Sequence, residues 1–192
     1  MYRVNEIFLS LQGEGFWTGT PMVFLRFSGC NLRCPFCDTD HSGYREMSAE
    51  EIVTEILQTG GDCRKVCVTG GEPSLQLDEA LVEALHHAGF QVHVETNGTR
   101  VLPGGVDWVT LSPKTDVKGL KGDGTVVLER ADEVKVCMRA ASTRSGRHFP
   151  RIGISCSPAI PATRRRARPC LPKPSTTFSG IPFGGCRCRH IN

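Results

Sequence analysis

The chain has 192 residues, of which 22% are charged, and a formal net charge of +3. That length suits one domain able to bury its own core, and no apolar run approaches the length of a membrane span. No N-terminal segment combines a basic start, an apolar run and a small-residue cleavage site, so the ten cysteines are expected to serve as thiols in a reducing cytoplasm rather than as a disulfide scaffold.

In chain order, Asn5 to Leu11 alternates Ile7, Leu9 and Leu11 with polar or smaller neighbours, the period of a strand. Gly13-Glu14-Gly15 breaks it. Met22 to Phe27 is a continuous apolar run, the pattern of a strand covered on both faces in a parallel sheet. Ser48-Ala-Glu-Glu51 matches a capping box, and Ile52, Val53, Ile56 and Leu57 follow at helical spacing until Gly60-Gly61. Val66 to Thr69 reads as the next strand, Leu77 to His87 as a helix stopped by Gly89, and Phe90 to Glu95 as a strand leading into Thr96-Asn97-Gly98. Trp108 to Leu111 and Glu133 to Val136 complete the strands. Strands alternating with helices imply an α/β fold with parallel pairing and right-handed crossovers. Ligands of such folds gather at the C-terminal strand ends, where Cys30, Gly70-Gly71-Glu72, Thr96 and Ser112 all fall.

Cys30, Cys34 and Cys37 stand at C-x3-C-x2-C spacing in the loop after the second strand. Three thiolates can hold three irons of a cubane and leave the fourth open to a substrate. A zinc site would need a second Cys or His pair at defined spacing, and none stands nearby. His41, His86, His87 and His93 lack metal-like spacing and read as surface or satisfied residues. Cys63 and Cys67 form a C-x3-C pair, but Cys67 falls in a strand and reads as a small core residue. Glu14, in the glycine turn, is a candidate ligand or hydrogen-bonding group.

The cysteine loop, with Phe36 before its third cysteine, resembles the radical S-adenosylmethionine signature. More narrowly, Leu11 to Pro21 (LQGEGFWTGTP), Arg26 to Thr39 (RFSGCNLRCPFCDT), Val68 to Gln76 (VTGGEPSLQ), Glu95 to Thr99 (ETNGT) and Leu111 to Lys114 (LSPK) stand in the order found in the 7-carboxy-7-deazaguanine synthase family. The likeness covers Tyr2 to about Val136. It implies a partial, open (β/α) barrel and a carbon–nitrogen lyase. The reaction is ring contraction of 6-carboxy-5,6,7,8-tetrahydropterin to 7-carboxy-7-deazaguanine with release of ammonia, a step toward queuosine and other 7-deazapurines. It also implies a 4Fe–4S cluster on Cys30, Cys34 and Cys37, S-adenosylmethionine and Mg²⁺, the last at Thr39. Residues of the cofactor side are then Phe36, Cys37, Asp38, Gly71, Ser112, Pro113 and Lys114. Those of the substrate side are Leu11, Gln12, Gly13, Thr69 and Arg26, whose guanidinium fork would pair with the substrate carboxylate. An electron donor such as flavodoxin and a homodimer are the partners implied, with no membrane and no direct nucleic acid. A glycyl-radical enzyme activase shares the cysteine loop, but LQGEG and LSPK argue against it. A non-enzymatic RNA-binding metalloprotein would suit a basic tail, which here offers only Phe149, Phe178 and Phe183 for stacking.

The chain thus divides at about residue 136. All twenty acidic residues lie at or before Glu133, whereas residues 137–192 hold ten Arg, one Lys and half of the cysteines. That makes the final segment +11 and residues 1–136 −8. Rich in Arg, Pro and Ser and without a helical or strand period, it is expected to be a disordered basic tail with the family's closing strands missing. Its codons suggest an origin. When the third base of each is read with the first two of the next, Phe178 to Asn192 can encode QRHPFWRLSLSTHK, and Ile154 to Ala159 can likewise encode LQPC in the same frame. Both resemble family segments expected at those places, so the segment is read as out of frame and the chain is expected to bind its cluster poorly and to have little or no activity.

Overall fold

The computed structural model describes residues 1–139 and 152–158. Its strands form one eight-stranded sheet in the order β3-β1-β2-β4-β5-β6-β7-β8. β1 (Tyr2–Leu11) lies antiparallel between β2 (Pro21–Phe27) and β3 (Arg45–Met47). β2 then runs parallel with β4 (Lys65–Gly70), β5 (Gln91–Thr96), β6 (Trp108–Leu111) and β7 (Glu133–Arg139). β8 (Ile152–Pro158) pairs antiparallel with β7 over its whole length.

The tail expected from residue 137 therefore begins inside β7, and the stretch Ile152–Pro158, expected to lack a period, is a strand in which Ile152, Ile154 and Cys156 alternate with Gly153, Ser155 and Ser157. A lone β7 would present a row of unpaired backbone donors and acceptors, and main-chain pairing can satisfy them whatever the side-chain pattern. The remaining tail residues lie outside the described ones. β3 was also not expected: Arg45-Glu46-Met47 has no apolar alternation, and only Met47 is buried.

Two helices cover one face. α1 (Ala49–Gly60) starts at the expected capping box: the Glu51 amide donates to Ser48 Oγ at 3.2 Å, and Ser48 N donates to Glu51 Oε2 at 2.7 Å. α2 (Glu79–His87) is capped by Asp78, which accepts from Leu81 N and from the Tyr2 hydroxyl. The crossovers from β5 to β6 and from β6 to β7 carry no helix, unlike the expected alternation. No helix among the described residues is long and apolar enough to cross a membrane.

Side chains alternate across a strand, and here the alternation separates two chemistries. Val23, Leu25, Phe27, Val66, Val68, Val92 and Val94 point to the helices and pack with Ile52, Ile56, Leu81, Val82 and Leu85. The opposite face is polar: the register aligns Arg26 with Thr69, Glu95 with Thr110, and Thr110 with Glu133. Cys67, His93 and Trp108 share that face one step toward the strand starts.

Cys67 is a buried core residue as expected, but His93 is not a satisfied histidine. It is buried against Trp17 and Trp108, with its Nε2 unpartnered. Burial, aided by the Lys65 ammonium, pushes its pKa down to about 4. As pH falls through 6.5, the unfolded chain takes up a proton that the folded chain refuses, so stability drops until about pH 4 and then levels off. The expected loss is on the order of 3 kcal/mol. Denaturant titrations between pH 7 and 4 should show this loss in the parent chain and its removal in His93→Phe.

Candidate functional site

The site begins where β2 ends. Beyond Phe27 the chain continues through Ser28 and Gly29 into the cysteine loop, and the continuation of β4 runs alongside it. Gly71 N donates to the Phe27 carbonyl at 3.2 Å and Glu72 N to the Gly29 carbonyl at 3.0 Å. The approach is too close for side chains. A Cβ at Gly70, whose φ is +133°, would overlap the Phe27 carbonyl oxygen, and one at Gly71 would overlap that of Gly29 and lie 2.9 Å from Cys30 Cβ. The two glycines after β4 are thus required by the loop beside them.

Glu72 turns away from the cleft. Fully buried, its carboxylate accepts from Ser74 N at 3.0 Å, Thr96 Oγ1 at 2.7 Å and Asn97 N at 2.7 Å. This ties the ends of β4 and β5 together, leaving Gly70 and Gly71 to face the cleft. Gln76 ties the same region to β1 and β2, donating to the Ser28 carbonyl and accepting from Arg3 N. Asn97 donates to Asn31 Oδ1, Asn31 donates to Thr99 Oγ1, and a backbone bridge joins Arg33 to Lys121. Glycine is needed again at 122, where a Cβ would approach the Asn31 carbonyl to 2.7 Å.

The result is a cleft of about 210 Å³ that gathers Cys30, Cys34, Cys37, Phe36, Asp38, Gly71, Ser112 and Lys114 with Thr69 and Glu95. Pro113 joins Ser112 to Lys114, whose ammonium donates to Ser112 Oγ at 2.6 Å. A wider neighbouring cleft of about 560 Å³ holds Arg26 and Thr39 with Glu6, Asp38 and Asp40. Asp38 belongs to both. Arg26 already holds a carboxylate, since its Nε lies 2.6 Å from Glu6 Oε1 across the β1–β2 register. Leu11 and Gly13 are exposed at the end of β1, while Gln12 is buried and reaches Glu95. Cys63 lies apart, packed against the helix-side core.

The three cysteine sulfurs suit a polynuclear group. Among the described residues no three His, Cys, Asp or Glu side chains converge on a single ion, yet the three thiols line one cleft. The backbone turns to meet such a group: Leu32 N donates to Cys30 Sγ at 3.4 Å and Cys37 N to the Cys34 carbonyl at 3.0 Å. Burial raises the pKa of Cys30 and Cys34, partly offset at Cys34 by the Lys114 ammonium. Binding a metal group would drive off those protons.

The periodicity and motifs singled out Arg26 and Glu14 but not Glu133 and Lys135 on the inner face. Lys135 pairs with Glu95 and Glu14, and Glu133 accepts from Phe16 N. The available signal was Glu133-Val134-Lys135-Val136, in which charges and valines alternate within one strand.

Comparison with known proteins follows the same outline. The Radical SAM superfamily model matches residues 25–118. The 7-carboxy-7-deazaguanine synthase of Bacteroides thetaiotaomicron is 54% identical over 136 residues, covering 71% of this chain and 70% of that one. The synthase of Bradyrhizobium diazoefficiens is 42% identical, covering 80% and 81%. The crystal structure of QueE from Escherichia coli superposes with a TM-score of 0.62 at 33% identity, covering 70% of this chain and 69% of that one.

Because Gly71 abuts Cys30, Gly71→Ala should displace the cysteine loop. Iron and sulfide bound after anaerobic reconstitution should fall severalfold, while Gly43→Ala, where a Cβ meets nothing within 4 Å, should bind as the parent does.

Proposed function

The chain belongs to the 7-carboxy-7-deazaguanine synthase family of the radical SAM superfamily, and we propose that it contracts 6-carboxy-5,6,7,8-tetrahydropterin to 7-carboxy-7-deazaguanine with release of ammonia. The observation that supports this reading most is the single cleft in which the thiols of Cys30, Cys34 and Cys37 meet Gly71, Ser112 and Lys114 on one side and Thr69 and Glu95 on the other. The 4Fe–4S cluster and S-adenosylmethionine, when bound, supply the radical that removes a hydrogen atom from the pterin.

The protein's part is to bind, orient and exclude. Cys30, Cys34 and Cys37 would hold the iron–sulfur cluster. Phe36, Cys37, Asp38, the open backbone at Gly71 and the Ser112-Pro113-Lys114 segment hold the sulfonium cofactor. Leu11, Gln12, Gly13 and Thr69 meet the pterin, and Arg26 takes its carboxylate through the remainder of a guanidinium fork anchored by Glu6. Thr39, between Asp38 and Asp40 in an oxygen-rich cleft, suits Mg²⁺, which would complete its shell with substrate oxygens and water. A one-electron donor such as flavodoxin, a homodimer and a cytoplasmic setting complete the proposal.

Two measurements test it. Anaerobically reconstituted chain should form 5′-deoxyadenosine in step with the deazaguanine product when the pterin is present; cleavage indifferent to the pterin would overturn the reading. In the chain with the frame restored after residue 136, Cys34→Ala should lower product formation at least a hundredfold, and Arg26→Lys should raise KM for the pterin about tenfold through loss of the planar fork, worth roughly 1.4 kcal/mol.

Residues 137–192 are proposed to be read out of frame. Their composition, their charge and the two family-like peptides that the other frame can encode support this together. Sequencing the locus checks it directly, and a chain with the frame restored should turn over at least tenfold faster. Equal rates would count against it.

A further inference from the structure

We propose that Lys135 is a positioning residue that fastens the turn Gln12–Phe16, together with the Glu95 carboxylate, in the geometry that the pterin requires; this rests on the function proposed above. Lys135 lies on the inner face of β7 with its side chain only 8% exposed. Its Nζ is 2.6 Å from Glu95 Oε1 and 3.1 Å from Glu14 Oε2. Burial alone would lower its pKa, but the two carboxylates outweigh that and raise it, so the ammonium stays charged.

Attachments converge on the turn from elements far away in the chain. Gln12 Nε2 donates to Glu95 Oε1 at 2.9 Å, and Gln12 Oε1 accepts from Glu14 N at 3.1 Å. Glu133, on the same face two residues before Lys135, accepts from Phe16 N at 3.1 Å and sits where a Cβ on Gly15 would have to go. Within the turn, Gly13 and Phe16 are exposed and Glu14 and Gly15 half-buried, so apart from ring contacts of Phe16 with Trp17 and Trp108 it is held by polar groups. Glu95 also lines the cleft shared with the cysteines, which makes Lys135 a link between the β1–β2 turn and the reaction site. Without it two carboxylates would face each other with their ammonium gone, and each would drift or take up a proton.

The test uses the full reconstituted chain with Lys135→Met, Lys135→Arg and Glu14→Gln. Lys135→Met should weaken equilibrium binding of the pterin at least tenfold, leave the affinity for S-adenosylmethionine within twofold, and speed amide exchange of residues 12–16 at least tenfold. Lys135→Arg should recover most of the pterin affinity. Glu14→Gln, which alters a half-exposed group and spares the fold, should weaken pterin binding about threefold and speed exchange in the same residues. Unchanged exchange in either variant, or equal loss of both ligands in folded Lys135→Met, would overturn the inference. A parent chain that binds S-adenosylmethionine but not the pterin would instead overturn the proposed function and the substrate part of this inference, while the exchange data would still decide the clamp.

Discussion

The structure depends on the close backbone contact between the end of β2 and the end of β4. Two carbonyls, Phe27 and Gly29, receive the amides of Gly71 and Glu72 where no Cβ fits between the chains. This contact sets Cys30 against the glycine pair and so sets the wall of the cleft. It is held from beneath by Glu72, a fully buried carboxylate with three donors. A buried charge is tolerated only when so satisfied, and the satisfaction is what joins the β4 and β5 ends into one rim.

The sheet carries two incompatible surfaces, and the strand period keeps them apart. On one side, branched aliphatic residues meet the helices and exclude water. On the other, Arg26, Glu95, Glu133 and Lys135 would each be costly to bury alone, and each has a partner: Glu6 for Arg26, Lys135 for Glu95, and the Phe16 amide for Glu133. Ion pairs and hydrogen bonds together let this face stay polar. Trp17, His93 and Trp108 pack against one another toward the strand starts.

β8 shows how a short signal is lost inside a biased composition. The Ile152, Ile154, Cys156 alternation is brief and sits in an Arg- and Pro-rich stretch, yet the backbone of Ile152–Pro158 pairs with the edge of β7. Hydrogen bonding at an edge recruits main chain, which every residue possesses, so the pairing says little about whether the segment's side chains were selected to be there.

Local patterns determined a great deal. The cysteine spacing, the capping box at Ser48, both helices and the strands Met22 to Phe27, Val66 to Thr69 and Trp108 to Leu111 are all short-range features, and each is found where the residues indicate. Most of the proposed cofactor side is brought into one cleft as its motifs implied. Tertiary structure alone decided that Glu72 is a tether, that Arg26 is already paired with Glu6, and that Lys135 reaches Glu95 and Glu14. It also decided that β3 exists and that the later crossovers carry no helix. The reason is range: these partners are 20 to 121 residues apart, and only the order and register of the strands brings them within hydrogen-bonding distance.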